Sequence, residues 1–240
     1  MGGTGNQEVA RVLFVGNSFT YFHNLPEMVV ALARPERAVS VAVIATGGAA
    51  LDTTWASGEP SAHLAQGADF VVLQEQSTLG GDLVVDGIPR PQDPARFHTA
   101  VRRAVPDILG AGASPVLYLT WARRDDPGAQ EALDNAYRSI GDELGATVAP
   151  VGPAWAMALR ERPDLVLHDA DASHPAPAGS YLAACVLTAT LFGIDPRGRP
   201  HRITGTTVDS EGVLGEVGPL TDLSDADAEF LQDIAWRATA

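Results

Sequence analysis

The chain has 240 residues, a length that suits one α/β unit, and 45% apolar residues suffice for one substantial core. Its 16 basic residues are all Arg, against 30 acidic ones, so a formal charge of −14 disfavours nucleic acid and anionic membrane as partners, and Schiff-base or P-loop lysine chemistry is excluded. The single Cys, Cys185, allows no internal disulfide, Cys-rich zinc site or iron–sulfur cluster.

The opening MGGTGNQEVA lacks the basic start and apolar stretch of a secretory signal, and no later window approaches ~20 uninterrupted apolar residues. A soluble, cytoplasmic protein is the expectation. Residues 11–15 read as a buried strand closed by Gly16, and Asn24-Leu25-Pro26 opens a helix to about Ala33. Val39–Ala45 reads as a second strand ended by Thr46-Gly47-Gly48, residues 61–66 as a short helical piece, and Phe70–Leu73 as a third strand. Residues 77–93, rich in Gly, Pro and Asp, form a long insertion of the kind that rims sites or moves. Residues 96–109 have helical spacing, residues 115–119 form a fourth strand, Asp126-Pro127 caps a helix to about Leu144, and residues 147–151 form a fifth strand. The apolar helix over residues 181–192 takes Cys185 into the core. Residues 198–221 are turn-rich and weakly patterned and are assigned to packing, and Ser224 caps a last helix through Ile234 and Trp236. This alternation predicts a five-stranded parallel sheet in a three-layer α/β/α sandwich. One domain over residues 1–240 is expected, with its core over about 11–192 and a C-terminal segment over 193–240.

Ligands of open parallel sheets bind beyond the carboxyl ends of the strands. After the first strand, Gly16-Asn17-Ser18-Phe19-Thr20 places a Ser two residues past a Gly that lets the backbone turn, a geometry that presents the hydroxyl and its own N–H to one space. Thr20 in the final position departs from the Gly-x-Ser-x-Gly elbow of α/β-hydrolases. Near the other end, Asp171-Ala172-Ser173-His174-Pro175 sets a carboxylate three residues before an imidazole. Asp171 can then accept from His174 Nδ1 while Nε2 points outward. Pro175 disfavours helix at His174, and Pro177 delays the next helix.

Phe14-Val15-Gly16-Asn17-Ser18-Phe19-Thr20 and Asp171-x-x-His174-Pro175 resemble the first and last blocks of the SGNH, or GDSL-like, hydrolase superfamily, and the order of elements extends the likeness over about residues 11–192. Gly-Asn-Ser-Phe-Thr, Gly47-Gly48, Leu73-Gln74-Glu75-Gln76-Ser77 and His-Pro followed by Gly-Ser-Tyr-Leu are similar to one little-characterised branch of it. The resemblance implies a flavodoxin-like fold, with Ser18 as nucleophile, His174 as general base and Asp171 as the residue that orients it. It further implies an oxyanion hole made of the Ser18 N–H, a Gly N–H at Gly47 or Gly48, and a third donor. The superfamily takes that donor from a Gly-x-Asn block, which is absent here, so the amide of Gln74 or, second, Gln76 is expected to replace it on the assumption of strand alternation.

Asn17, His23, Trp55 and Trp121 are candidate pocket-lining residues, with capping or packing as the alternative for His23 and the two Trp. His168, Asp169, Asp171 and His174 could instead form a metal cluster, a reading that leaves Gly-Asn-Ser-Phe-Thr unexplained, so no metal or cofactor is expected. The expected activity is a serine esterase acting through an acyl-enzyme on a small-molecule ester, a short acyl group on a polar or carbohydrate-like alcohol. An acyltransferase with the same triad and a non-catalytic binding protein are the alternatives.

Overall fold

The computed structural model describes residues 9–240, so most of the opening stretch read above for a leader lies outside the described residues. Strand β1 (Ala10–Gly16) buries Val12 and Phe14 on one face and Leu13 and Val15 on the other. Burial on both faces is what a strand between two helical layers requires. It pairs in parallel with β2 (Val39–Ala45) and β3 (Phe70–Leu73), and the sheet continues through β6 (Ser114–Tyr118) to β7 (Thr147–Ala149) in the order β2-β1-β3-β6-β7. The direction of chain progression reverses between β1 and β3, the switch point where such sheets open a crevice.

On one face pack α2 (Leu25–Ala33), α7 (Val151–Glu161), α8 (Pro177–Phe192) and α9 (Asp225–Thr239). The other face carries α3 (Leu51–Ala56), α4 (Glu59–Leu64), α5 (Ala95–Gly110) and α6 (Gln130–Leu144). The protein is thus the expected three-layer α/β/α sandwich. Helix α8 is buried on nearly every side because α2 and α9 cover what the sheet does not, and its Cys185 thiol is pushed up by burial. Each large side chain in these layers stabilises the fold by about 2 kcal/mol relative to exposure.

Several elements differ from expectation. The fifth strand, expected over residues 147–151, stops at Ala149 because Val151 already opens helix α7, and α3 was not foreseen. Pro177 does not delay α8 but is its first residue, where a missing N–H costs nothing. The insertion carries a two-stranded hairpin, β4 (Val84–Val85) and β5 (Ile88–Pro89). The turn-rich segment is a second hairpin, β8 (Arg202–Val208) with β9 (Leu214–Asp222), outside the main sheet. Ser224 caps α9 by accepting from the Asp227 N–H at 3.1 Å. No helix among the described residues is long and apolar enough to cross a membrane.

Candidate active site

Ser18 opens α1 (Ser18–Tyr21) directly beyond β1. The preceding Asn17 is extended and caps the helix, its Oδ1 accepting from the Phe19 N–H at 3.2 Å. As the first helical residue, Ser18 has an N–H that no earlier helical carbonyl accepts. Gly16 is required by close approach, since a Cβ there would lie 2.4 Å from Gln74 Oε1. Ser18 is 7% exposed, and its Oγ lies 2.8 Å from His174 Nε2.

The loop carrying His174 is closed by an antiparallel bridge between His168 and Pro175 and by Asp169 N–H donating to the His174 carbonyl at 2.8 Å. Asp171 holds its centre: Oδ1 accepts the Ser173 and His174 N–H groups, each at 2.9 Å, and Oδ2 meets His174 Nδ1. Burial pushes the Asp171 carboxyl up, but the His174 ring and these two amides outweigh it and hold it at about 2. Arg124 braces the loop from outside, its guanidinium donating to the Asp169 and Ala170 carbonyls at 3.3 Å.

The His174 ring also stands against two aromatics that spacing did not single out. Phe22 stacks on it with centroids 4.3 Å apart and planes 11° from parallel, and Phe19 meets it edge-on at 5.5 Å. The sequence signal available was the aromatic run Phe19-Thr20-Tyr21-Phe22 after the Ser, which has no periodicity to mark its target. Phe22 is set by a tight turn in which His23 and Asn24 both take left-handed backbone angles, φ 53° and 48°. Asn24 offsets that strain by donating to the Thr206 carbonyl at 2.8 Å.

Gly47 and Gly48 follow the end of β2, are exposed, and Gly48 takes a left-handed φ of +68°. A Cβ on Gly47 would lie 3.0 Å from the Tyr21 hydroxyl, so this loop borders the helix that Ser18 opens. Asn17 Nδ2 ties the loop down by donating to the Ala49 carbonyl at 3.0 Å.

Five expectations need correction. Strand β3 ends at Leu73, so alternation does not carry through Gln74 and Gln76. Gln74 is wholly buried, with Oε1 accepting the Asn17 N–H and the Thr20 hydroxyl, each at 2.9 Å, and Nε2 donating to the Glu75 carbonyl at 2.6 Å. It holds the Ser18 turn from within and is closed off from solvent. Asn17, 2% exposed, is a cap and not a lining residue. Trp55 is 2% exposed in the core on the α5 side of the sheet. Trp121 is sandwiched between Phe19 at 4.6 Å and Trp155 at 4.0 Å, and supports the His174 loop through an indole N–H to the Ser173 carbonyl at 3.0 Å.

The remaining candidates lie on the rim or beneath it. Gln76 is half-buried, and its amide donates to the Gly48 carbonyl. His23, half-buried, has Nδ1 2.8 Å from Ser180 Oγ, and burial pulls its ring down against the opposing pull of Asp169. His168 is buried with Nε2 3.0 Å from the Ala122 carbonyl, turned away from His174. Among the described residues no three His, Cys, Asp or Glu side chains are grouped to hold a metal.

Comparison with solved structures places this arrangement. A candidate SGNH hydrolase from Slackia heliotrinireducens is 30% identical, superposes with a TM-score of 0.61, and is covered over 100% of its length by 77% of this chain. A DUF4886 family protein from Bacteroides uniformis shares the fold at 15% identity and a TM-score of 0.64, with 96% of this chain and 95% of that one aligned. A variant of Axe2, an acetylxylan esterase from Geobacillus stearothermophilus, shares it at 14% identity and a TM-score of 0.60, over 77% of this chain and 93% of that one. No family model and no curated protein sequence matches the chain. The chain belongs to the SGNH hydrolases. It is accordingly an enzyme of the ester-hydrolase class.

Proposed function

We propose that the protein is a serine esterase in which Ser18, His174 and Asp171 form the catalytic triad and the substrate is a short acyl group on a polar or carbohydrate-like alcohol. The observation that carries the reading is the continuous relay from Ser18 Oγ, 2.8 Å from His174 Nε2, through the ring to the Asp171 carboxylate. Ser18 Oγ attacks the ester carbonyl carbon as its proton passes to His174 Nε2, and the new negative charge falls on the former carbonyl oxygen. Collapse breaks the bond to the alcohol, which leaves with that proton. Water then attacks the acyl-enzyme by the same route in reverse roles, releasing the acid and restoring Ser18. Asp171, held at about 2, stays ionised throughout and fixes the ring so that Nε2 faces Ser18.

The oxyanion is received by the Ser18 N–H and by the N–H of Gly47 or Gly48, where the missing side chains leave the approach open. Support for a small acyl group on a polar alcohol comes from this exposed, glycine-lined approach and from the likeness in fold to an acetylxylan esterase.

The test is labelling with a fluorophosphonate probe, followed by hydrolysis of a p-nitrophenyl ester series beside acetylated xylo-oligosaccharides. Wild type is expected to label and Ser18→Ala not to, with the shortest acyl chain turned over fastest. Equal labelling of the two proteins would remove Ser18 as nucleophile, and a preference for long chains would remove the substrate class.

A further inference from the structure

We propose that Glu75 is a positioning residue for the Gly47–Gly48 loop, its carboxylate clamping the start of α3 and the Gln76 backbone together beneath that loop. The proposal rests on the esterase reading above. Glu75 is wholly buried, directly after β3, and is not used by the triad. Both of its carboxylate oxygens lie 3.2 Å from the Leu51 amide nitrogen, and Oε1 also accepts the Gln76 N–H at 2.8 Å. Gln76 in turn reaches over to the Gly48 carbonyl, and its own Oε1 is held by the Thr78 hydroxyl at 3.2 Å. With Asn17 on the Ala49 carbonyl, residues 48, 49 and 51 are each tied to a side chain from beyond β1 or β3. Residues 48–51 are therefore held against movement relative to the Ser18 turn.

Among the described residues no Arg or His forms an ion pair with Glu75. Arg96 of α5 is engaged with Asp52 at 2.7 and 2.9 Å and with the Gly80 carbonyl at 2.7 Å, and Tyr137 of α6 accepts the Glu75 N–H at 3.0 Å. A wholly buried carboxylate without a counter-ion is costly, and packing alone would be met by an apolar side chain of similar size. The two N–H groups it accepts offset that cost. Burial pushes the Glu75 carboxyl up to about 7, the Gln76 and Leu51 amides draw it back, Asp52 adds to the rise and Arg96 opposes it. A proton on Oε2 leaves Oε1 alone to accept both N–H groups, whereas ionisation makes both oxygens acceptors and charges the hydrogen bonds, so the clamp is strongest in the ionised form.

Wild type, Glu75→Gln, Gln76→Ala and Ser18→Ala are to be compared on p-nitrophenyl acetate from about pH 5 to about pH 9, with thermal unfolding of each. Glu75→Gln is expected to lower kcat about 10- to 100-fold with KM within about threefold, because the loss falls on transition-state stabilisation. The acidic limb of wild-type kcat/KM is expected to steepen beyond one proton, and that of Glu75→Gln to follow one proton only. Wild-type kcat in Glu75→Gln, or the same slope in both, overturns the clamp. Should Glu75→Gln fail to fold, the half-exposed Gln76→Ala decides: about tenfold lower kcat at an unchanged unfolding temperature supports the clamp, and wild-type kcat overturns it. Activity that survives Ser18→Ala overturns the esterase reading and the clamp with it. An inactive Ser18→Ala beside a fully active Glu75→Gln overturns the clamp alone.

Discussion

His174 is held by rings, whereas the Gly47–Gly48 loop across the Ser18 turn is held by hydrogen bonds. Phe22 and Phe19 flank the imidazole, and Trp121 and Trp155 stack in turn beneath Phe19. The loop, by contrast, hangs from Asn17, Glu75 and Gln76. Aromatic packing spreads its energy over many weak contacts and degrades by steps when one is removed. A buried polar network leaves its remaining members unsatisfied as soon as one member goes, so its failures are abrupt. His174 thus sits in a tolerant mount and the Gly47–Gly48 loop in an exacting one.

The largest expected effect removes what both sides serve. Ser18→Ala should lower kcat by about a million-fold in steady-state ester hydrolysis, and a loss under about a hundred-fold would mean that neither side is built around this hydroxyl. Asp171→Asn should follow with about a ten-thousand-fold loss, since the amide favours the wrong ring tautomer. Because that carboxyl is held at about 2, acid loss of activity above about pH 4 cannot come from Asp171 and must come from other groups.

The next effect sharpens the comparison through stability. Glu75 binds its proton more tightly folded, at about 7, than unfolded, near 4.5, so the folded state holds more protons across that window and stability falls as pH rises through it. Relative to Glu75→Gln, wild type should lose on the order of 3 kcal/mol between about pH 5 and about pH 8 in urea unfolding, and a pH-independent difference would contradict this. Gln74→Ala should cost about 2 kcal/mol in the same experiment, by orphaning the Asn17 N–H and the Thr20 hydroxyl. The smallest effect belongs to the tolerant side. Phe22→Ala should lower kcat about tenfold with little change in unfolding temperature, and Phe22→Leu should recover part of the loss. A collapse of activity in Phe22→Ala would reverse the contrast between the two mounts.

The same contrast explains what could be read from residues alone. Phe70–Leu73 is legible to the residue because a strand buried on both faces must be a short apolar run, and Val39–Ala45, an edge strand, is legible from its β-branched run ended by Thr46-Gly47-Gly48. The pairing of Asp171 with His174 is local in sequence, so a loop of five residues contains it. Gln74 and Gln76 misled because alternation was extended past Leu73, where the strand stops and Gln74 turns inward to its buried partners. Phe22 on His174 and Glu75 on Leu51 are contacts across space, with no spacing rule to announce them. The hairpin of β8 and β9 was illegible for a different reason. Glycines and threonines dominate it, and most of β9 is exposed, so it carries no apolar alternation.

Ser18 and His174 are separated by 156 positions along the chain. A fragment ending before residue 174 would carry the Ser18 hydroxyl without the imidazole it meets. The tip beyond β8 lies later still in the chain, and Tyr21, three residues after Ser18, donates its hydroxyl proton to the Ser210 carbonyl at 2.9 Å. The pairing of Ser18 with His174 thus draws on elements far apart in the chain, and a break between them would separate the two side chains.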